Sequence, residues 1–98
     1  MTDESRQLLD RWVKELDAGT ARPDDVAFVF EQEILRTGDV TLLSLAPTSV
    51  VNAILRDVEN FLRNGEWVVS AKGGSPRDAS AEMTRLCALL SGAGMLQS

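Results

Sequence analysis

Four stretches of this 98-residue chain repeat apolar residues at helical spacing, and each is bracketed by residues that start and stop helices. In Val50, Val51, Ile54, Leu55, Val58, Phe61 and Leu62 the stripe holds over three turns. It ends on Arg63-Asn64-Gly65, a cation in the last turn followed by a glycine suited to the left-handed position after a helix. This predicts a helix over 47–64. Leu8, Leu9, Trp12, Val13 and Leu16 form a second stripe, with Thr2 as cap, Asp3 and Glu4 at the positive end of the dipole and Gly19 as terminator. This predicts a helix over 3–18, with Trp12 in the core. Its other face pairs Asp10 with Lys14 and Arg11 with Glu15, opposite charges four residues apart that read as a solvated surface.

Pro23 at the first helical position, Asp24 and Asp25 in the first turn, Arg36 in the last turn and Gly38 beyond it predict a helix over 23–37. The run Val26-Ala27-Phe28-Val29-Phe30 would also suit a buried strand, but the flanks are helical caps. Such a helix is apolar around more than half its circumference, so it is either central to the fold or part of an interface. Asp39 can cap a short helix near 39–45, closed by Ala46-Pro47. Ser75 as cap, Pro76 at the first helical position and Asp78 at the third predict a last helix over 76–90, with Ala79, Met83, Leu86 and Leu90 as its stripe. Residues 95–98 read as a frayed tail. The β-branched segment 66–71 stands too far from other strand-like sequence to pair, and reads as an extended stretch.

The expected fold class is therefore all-α. The chain is of a size for a single domain, 1–98, and short connections favour a compact bundle of four main helices with neighbours antiparallel. The alternatives are an orthogonal five-helix array, or an α+β domain in which 26–30 pairs with 67–71.

The residues that are missing limit the chemistry. There is no histidine and one cysteine, so the usual zinc and copper ligand sets, an internal disulfide and the Ser-His and Cys-His nucleophile pairs are all out of reach. Cys87 lies beside an apolar stripe with no lysine near it in sequence, and reads as a small core residue. The carboxylate pairs Asp24/Asp25 and Glu31/Glu33 do not follow a calcium-loop pattern. No cofactor is expected, and catalysis is not expected. No apolar run approaches a membrane span, and the start Met1-Thr2-Asp3-Glu4-Ser5 is acidic where a secretory signal would be basic, so the expected location is the cytoplasm. Eight arginines against two lysines hint at a GC-rich bacterial source.

The net charge of −5 is unevenly placed. Residues 1–33 hold nine carboxylates and four cations, whereas 34–98 hold six of each. Nucleic acid needs a clustered positive patch, so no nucleic-acid partner is expected, and a helix-turn-helix DNA binder stands as a third reading that the charge disfavours. An acidic front can dock a basic protein surface, and the plain alternative is a solvated face.

Two sets of candidate site residues follow. Phe28, Val29, Trp67, Asp24 and Asp25 are the apolar and acidic residues that the helical stripes leave over, and they suit a protein interface. A domain this small needs its large side chains inside, so Trp67 reads first as a lid on the core and second as a partner contact. Lys72, Gly73, Gly74, Ser75 and Arg77 could present amides, a hydroxyl and two cations to an anion, although the spacing is not that of a phosphate loop and a capped turn explains it as well. The expected function is a small interaction module of an adaptor, chaperone-like or regulatory kind, whose partner is another protein or a second copy. The alternative is a small-ligand or phosphate-binding accessory domain using the glycine loop at 72–75.

Overall fold

Proline and glycine set the helix ends much as their chemistry requires. In the computed structural model, which describes residues 3–70 and 76–94, the elements in order are α1 (Asp3–Asp17), α2 (Pro23–Thr37), a 3₁₀ helix (Val40–Leu45), α3 (Thr48–Asn64), β1 (Val68–Ser70), β2 (Pro76–Asp78) and α4 (Ser80–Gly92). The fold class is all-α, with one small ribbon. Two compact units divide it, Met1–Leu55 and Arg56–Ser98, with the boundary inside α3. The expected tail at 95–98 lies outside the described residues.

In the first unit α2 begins with Pro23 at its first turn. It stops at Gly38, whose φ of 72° is open to glycine at little steric cost and whose amide donates to the Ile34 carbonyl at 2.7 Å. Asp39 then caps the 3₁₀ helix, its carboxylate accepting from the Thr41 amide at 3.0 Å and from the Thr41 hydroxyl. These bonds hold the Asp39 carboxyl below its usual range. The segment expected as a short helix is thus helical but of the tighter 3₁₀ kind, over six residues that stop ahead of Pro47.

α1, α2 and the 3₁₀ helix pack on one another. Leu9, Val26, Ala27, Phe30, Ile34 and Leu42 are completely buried, and Val50, Ala53 and Ile54 on the first half of α3 are buried too. The run 26–30 is helix, so the strand alternative for it does not occur. Within α1 only Leu9 and Ser5 are buried. Trp12, expected in the core, is half-buried, as are Leu8, Val13 and Leu16. Tryptophan is large, and its indole is rarely covered completely even when it packs against a core.

In the second unit α3 ends at Gly65, where φ is 77° and the amide donates to the Phe61 carbonyl at 2.7 Å. Val58 and Phe61 are buried, but Leu62, expected on the same stripe, is 65% exposed. The 66–71 segment was expected to be unpaired, and here the structure differs. Val68–Ser70 pairs antiparallel with Pro76–Asp78, in the register Val68 to Asp78, Val69 to Arg77 and Ser70 to Pro76.

That pairing moves the start of the last helix from the expected 76 to Ser80. Proline at the first residue of a short strand is compatible with pairing as well as with a helix start, and here the ribbon takes it. Asp78, rather than Ser75, leads into the helix: its Oδ1 accepts from the Ser80 amide at 2.9 Å and the Ser80 hydroxyl at 2.6 Å. The stripe of α4 is as expected, with Ala79, Met83, Leu86 and Leu90 all buried.

Candidate interaction surface

α2 buries one side and presents the other. Val26, Ala27, Phe30 and Ile34 are wholly buried, whereas Phe28 is 39% exposed and Val29 is half-buried. Residues four apart lie one above the other on a helix, so Asp24 with Phe28 and Asp25 with Val29 form two adjacent rows. Both aspartates are exposed, in the first turn where the helix dipole favours negative charge. Four of the five expected interaction residues therefore share one surface on α2: two carboxylates one turn before an exposed ring. The fifth, Trp67, belongs to the second unit and is half-buried. Its backbone is anchored, the amide donating to Ser80 Oγ at 2.9 Å and the carbonyl accepting from the Ala79 amide at 2.8 Å.

Of the expected anion-binding residues, Lys72, Gly73, Gly74 and Ser75 lie outside the described residues, as does the Arg77 side chain. Residue 77 itself is in β2 and not in a helix start, so the helix N-terminus to which the loop was expected to lead stands five residues beyond Ser75. Among the described residues no group of three potential metal ligands occurs. No helix among them is long and apolar enough to cross a membrane.

A polar cluster that the sequence did not reveal joins α1 to α2. Ser5 Oγ, in a residue only 1% exposed, donates to Glu33 Oε2 at 2.8 Å. Arg36 Nη2 donates to Ser5 Oγ at 2.8 Å and pairs with Glu33 Oε2 at 2.6 Å, while its Nε reaches Oε1 at 3.3 Å. These partners are 28 and 31 residues apart, beyond any local pattern. One signal was present: Ser5 precedes Leu9 by four residues, so it is a hydroxyl on the apolar stripe.

The Arg36 guanidinium holds the Glu33 carboxyl below its ordinary 4.5, with the Ser5 hydroxyl adding to the effect against some desolvation. A carboxylate held in this way is a poor base, and the cluster acts as a clamp between helices. Its linkage to stability has a definite sign. Because the folded-state pKa is depressed, the stabilisation is complete above 4.5 and is lost as pH falls through the folded value. Glu33→Gln is expected to cost about 1 kcal/mol at pH 7. In urea titrations at pH 7 and at successively lower pH below 4.5, the gap between variant and parent should narrow in acid. A gap independent of pH would show that the charge of Glu33 contributes nothing.

The Cys87 thiol, half-buried on α4, is pushed up by burial, so it is held as the weakly reactive thiol. On the same unit Leu62 at 65% and Val68 at 53% are exposed apolar side chains that the helical stripe and the isolated-segment reading did not single out. No family model, curated protein or solved structure matches the chain.

Proposed function

We propose that this chain is a protein–protein interaction module without catalytic activity, working in the cytoplasm as an adaptor, chaperone-like or regulatory domain. The observation that carries the reading is the outer face of α2, where Phe28 is 39% exposed in a helix whose other large apolar residues are mostly buried, one turn from the exposed Asp24 and Asp25. An aromatic ring beside two carboxylates suits a partner with an apolar pocket and a basic rim. The ring would supply affinity and the carboxylates orientation and rate. The charge distribution supports it, since the whole net −5 belongs to residues 1–33. The absence of histidine and the low-held Glu33 favour a non-catalytic role.

Affinity capture with the intact chain tests the reading. Phe28→Glu and the double change Asp24→Lys, Asp25→Lys should each weaken a discrete, stoichiometric partner by tenfold or more, about 1.4 kcal/mol. Leu62→Glu, on the other unit, should leave it bound. Capture that ignores all three changes would end the proposal.

A further inference from the structure

The two outer edges of the ribbon are chemically unlike. The bonds from the Ala79 amide to the Trp67 carbonyl and from the Trp67 amide to Ser80 Oγ set the hydrogen-bond phase of the ribbon. Trp67 turns its backbone groups toward β2, so by the alternation of an antiparallel pair Val69 does likewise, and Val68 and Ser70 turn theirs outward. The same register sends the backbone of Pro76 and Asp78 outward from β2.

Sheet edges are ordinarily blunted with proline and charge. The β2 edge, Pro76-Arg77-Asp78, has both, and its proline has no N–H to offer. The β1 edge, Val68-Val69-Ser70, has neither, and offers two outward amides and two outward carbonyls beside a Val68 side chain that is 53% exposed. Among the described residues the sheet stops at two strands, and a ribbon of that size gains stability from a further strand or from packing against a helix.

We propose that the β1 edge pairs antiparallel with β1 of a second copy of this chain, about a two-fold axis at Val69, forming a four-stranded sheet. The occupant follows from self-complementarity. With Val69 opposite its own equivalent, Val68 of one copy faces Ser70 of the other, and each outward amide meets an outward carbonyl, making four hydrogen bonds. The segment Trp67-Val68-Val69-Ser70 is uncharged, so two copies approach without repulsion, and its β-branched residues suit a strand. Strands of three residues give few bonds, so the association is weak and depends on concentration. It uses the second unit alone and stands independently of the α2 surface.

Sedimentation equilibrium of the full chain from about 10 µM to about 1 mM covers this range of affinity. The weight-average mass should climb from 10.7 kDa toward twice that value. Val68→Pro removes an outward amide but no bond within the ribbon, and should weaken dimerisation by about tenfold or more. Val68→Lys, at an exposed side chain, should weaken it as well and covers the case in which proline disturbs the ribbon. Phe28→Glu should leave it intact. With rising concentration the amides of Val68 and Ser70 should gain protection from hydrogen exchange. A chain monomeric throughout, including one that binds an extended peptide of another protein at this edge, overturns the proposal. So does a dimer indifferent to both Val68 changes, or one abolished by Phe28→Glu.

Discussion

Phe30→Ala is expected to destabilise the first unit by about 3–5 kcal/mol, whereas Phe28→Ala, two residues earlier on the same helix, should cost about 1 kcal/mol or less. The chemistry deleted is the same at both positions. The difference lies in what surrounds each ring: Phe30 is completely buried, so its removal leaves a cavity that the surroundings fill only in part, while Phe28 is 39% exposed and water already reaches the site. Urea titration followed by helical circular dichroism of the two variants measures both values. Equal losses would mean that α2 does not sit with the Val26, Phe30 and Ile34 side inward, and the reading of Phe28 as surface would fall with it.

The second contrast lies in the other unit. Leu86→Ala should cost about 2–5 kcal/mol, because Leu86 is wholly buried on α4, and Leu62→Ala should change stability by about 0.5 kcal/mol or less, because that side chain is 65% exposed. Both leucines lie on apolar stripes when only spacing is considered. Denaturation of the two variants, read by the fluorescence of Trp67 after Trp12→Phe, gives the comparison within this unit. If Leu62→Ala proves as costly as Leu86→Ala, the last turn of α3 is packed in a way that contradicts its exposure.

These contrasts mark where local pattern stops being informative. The caps of α2 and the stop of α3 were legible because Pro23, Gly38 and Gly65 act through their own backbone chemistry, which needs no distant partner. The stripe of α4 was legible for the same reason, but its start was not. Ser75-Pro76-Arg77-Asp78 satisfies the rules for a helix start and those for an edge strand equally, and the choice is made by Val68–Ser70, a segment that lies earlier in the chain. Once 76–78 is a strand, the cap position of α4 falls on Ala79, which makes no side-chain cap, and Asp78 just before it accepts from the Ser80 amide and hydroxyl. Its carboxyl is held below the usual range by the Ser80 hydroxyl first and the Ser80 amide second.

Burial was only partly legible. Periodicity locates a face, but not how much of that face is covered. Trp12 and Leu62 both lie on the stripes that spacing picks out, yet one is half-buried and the other exposed. The acid–aromatic face of α2 could be read because Asp24, Asp25, Phe28 and Val29 lie within two turns. The Ser5, Glu33 and Arg36 clamp could not, because it exists only when α1 lies against α2.

The proposed partner would meet the outer face of α2 at Phe28. A photo-crosslinking phenylalanine analogue at position 28, compared with the same analogue at the exposed Gln7 of α1, tests it at the residue concerned. In extracts of the source cell, position 28 should give one dominant adduct that position 7 does not, and that adduct should fade when Asp24 and Asp25 are changed to lysine. Equal labelling at the two positions, or an adduct at 28 that is unaffected by those lysines, would contradict the proposal.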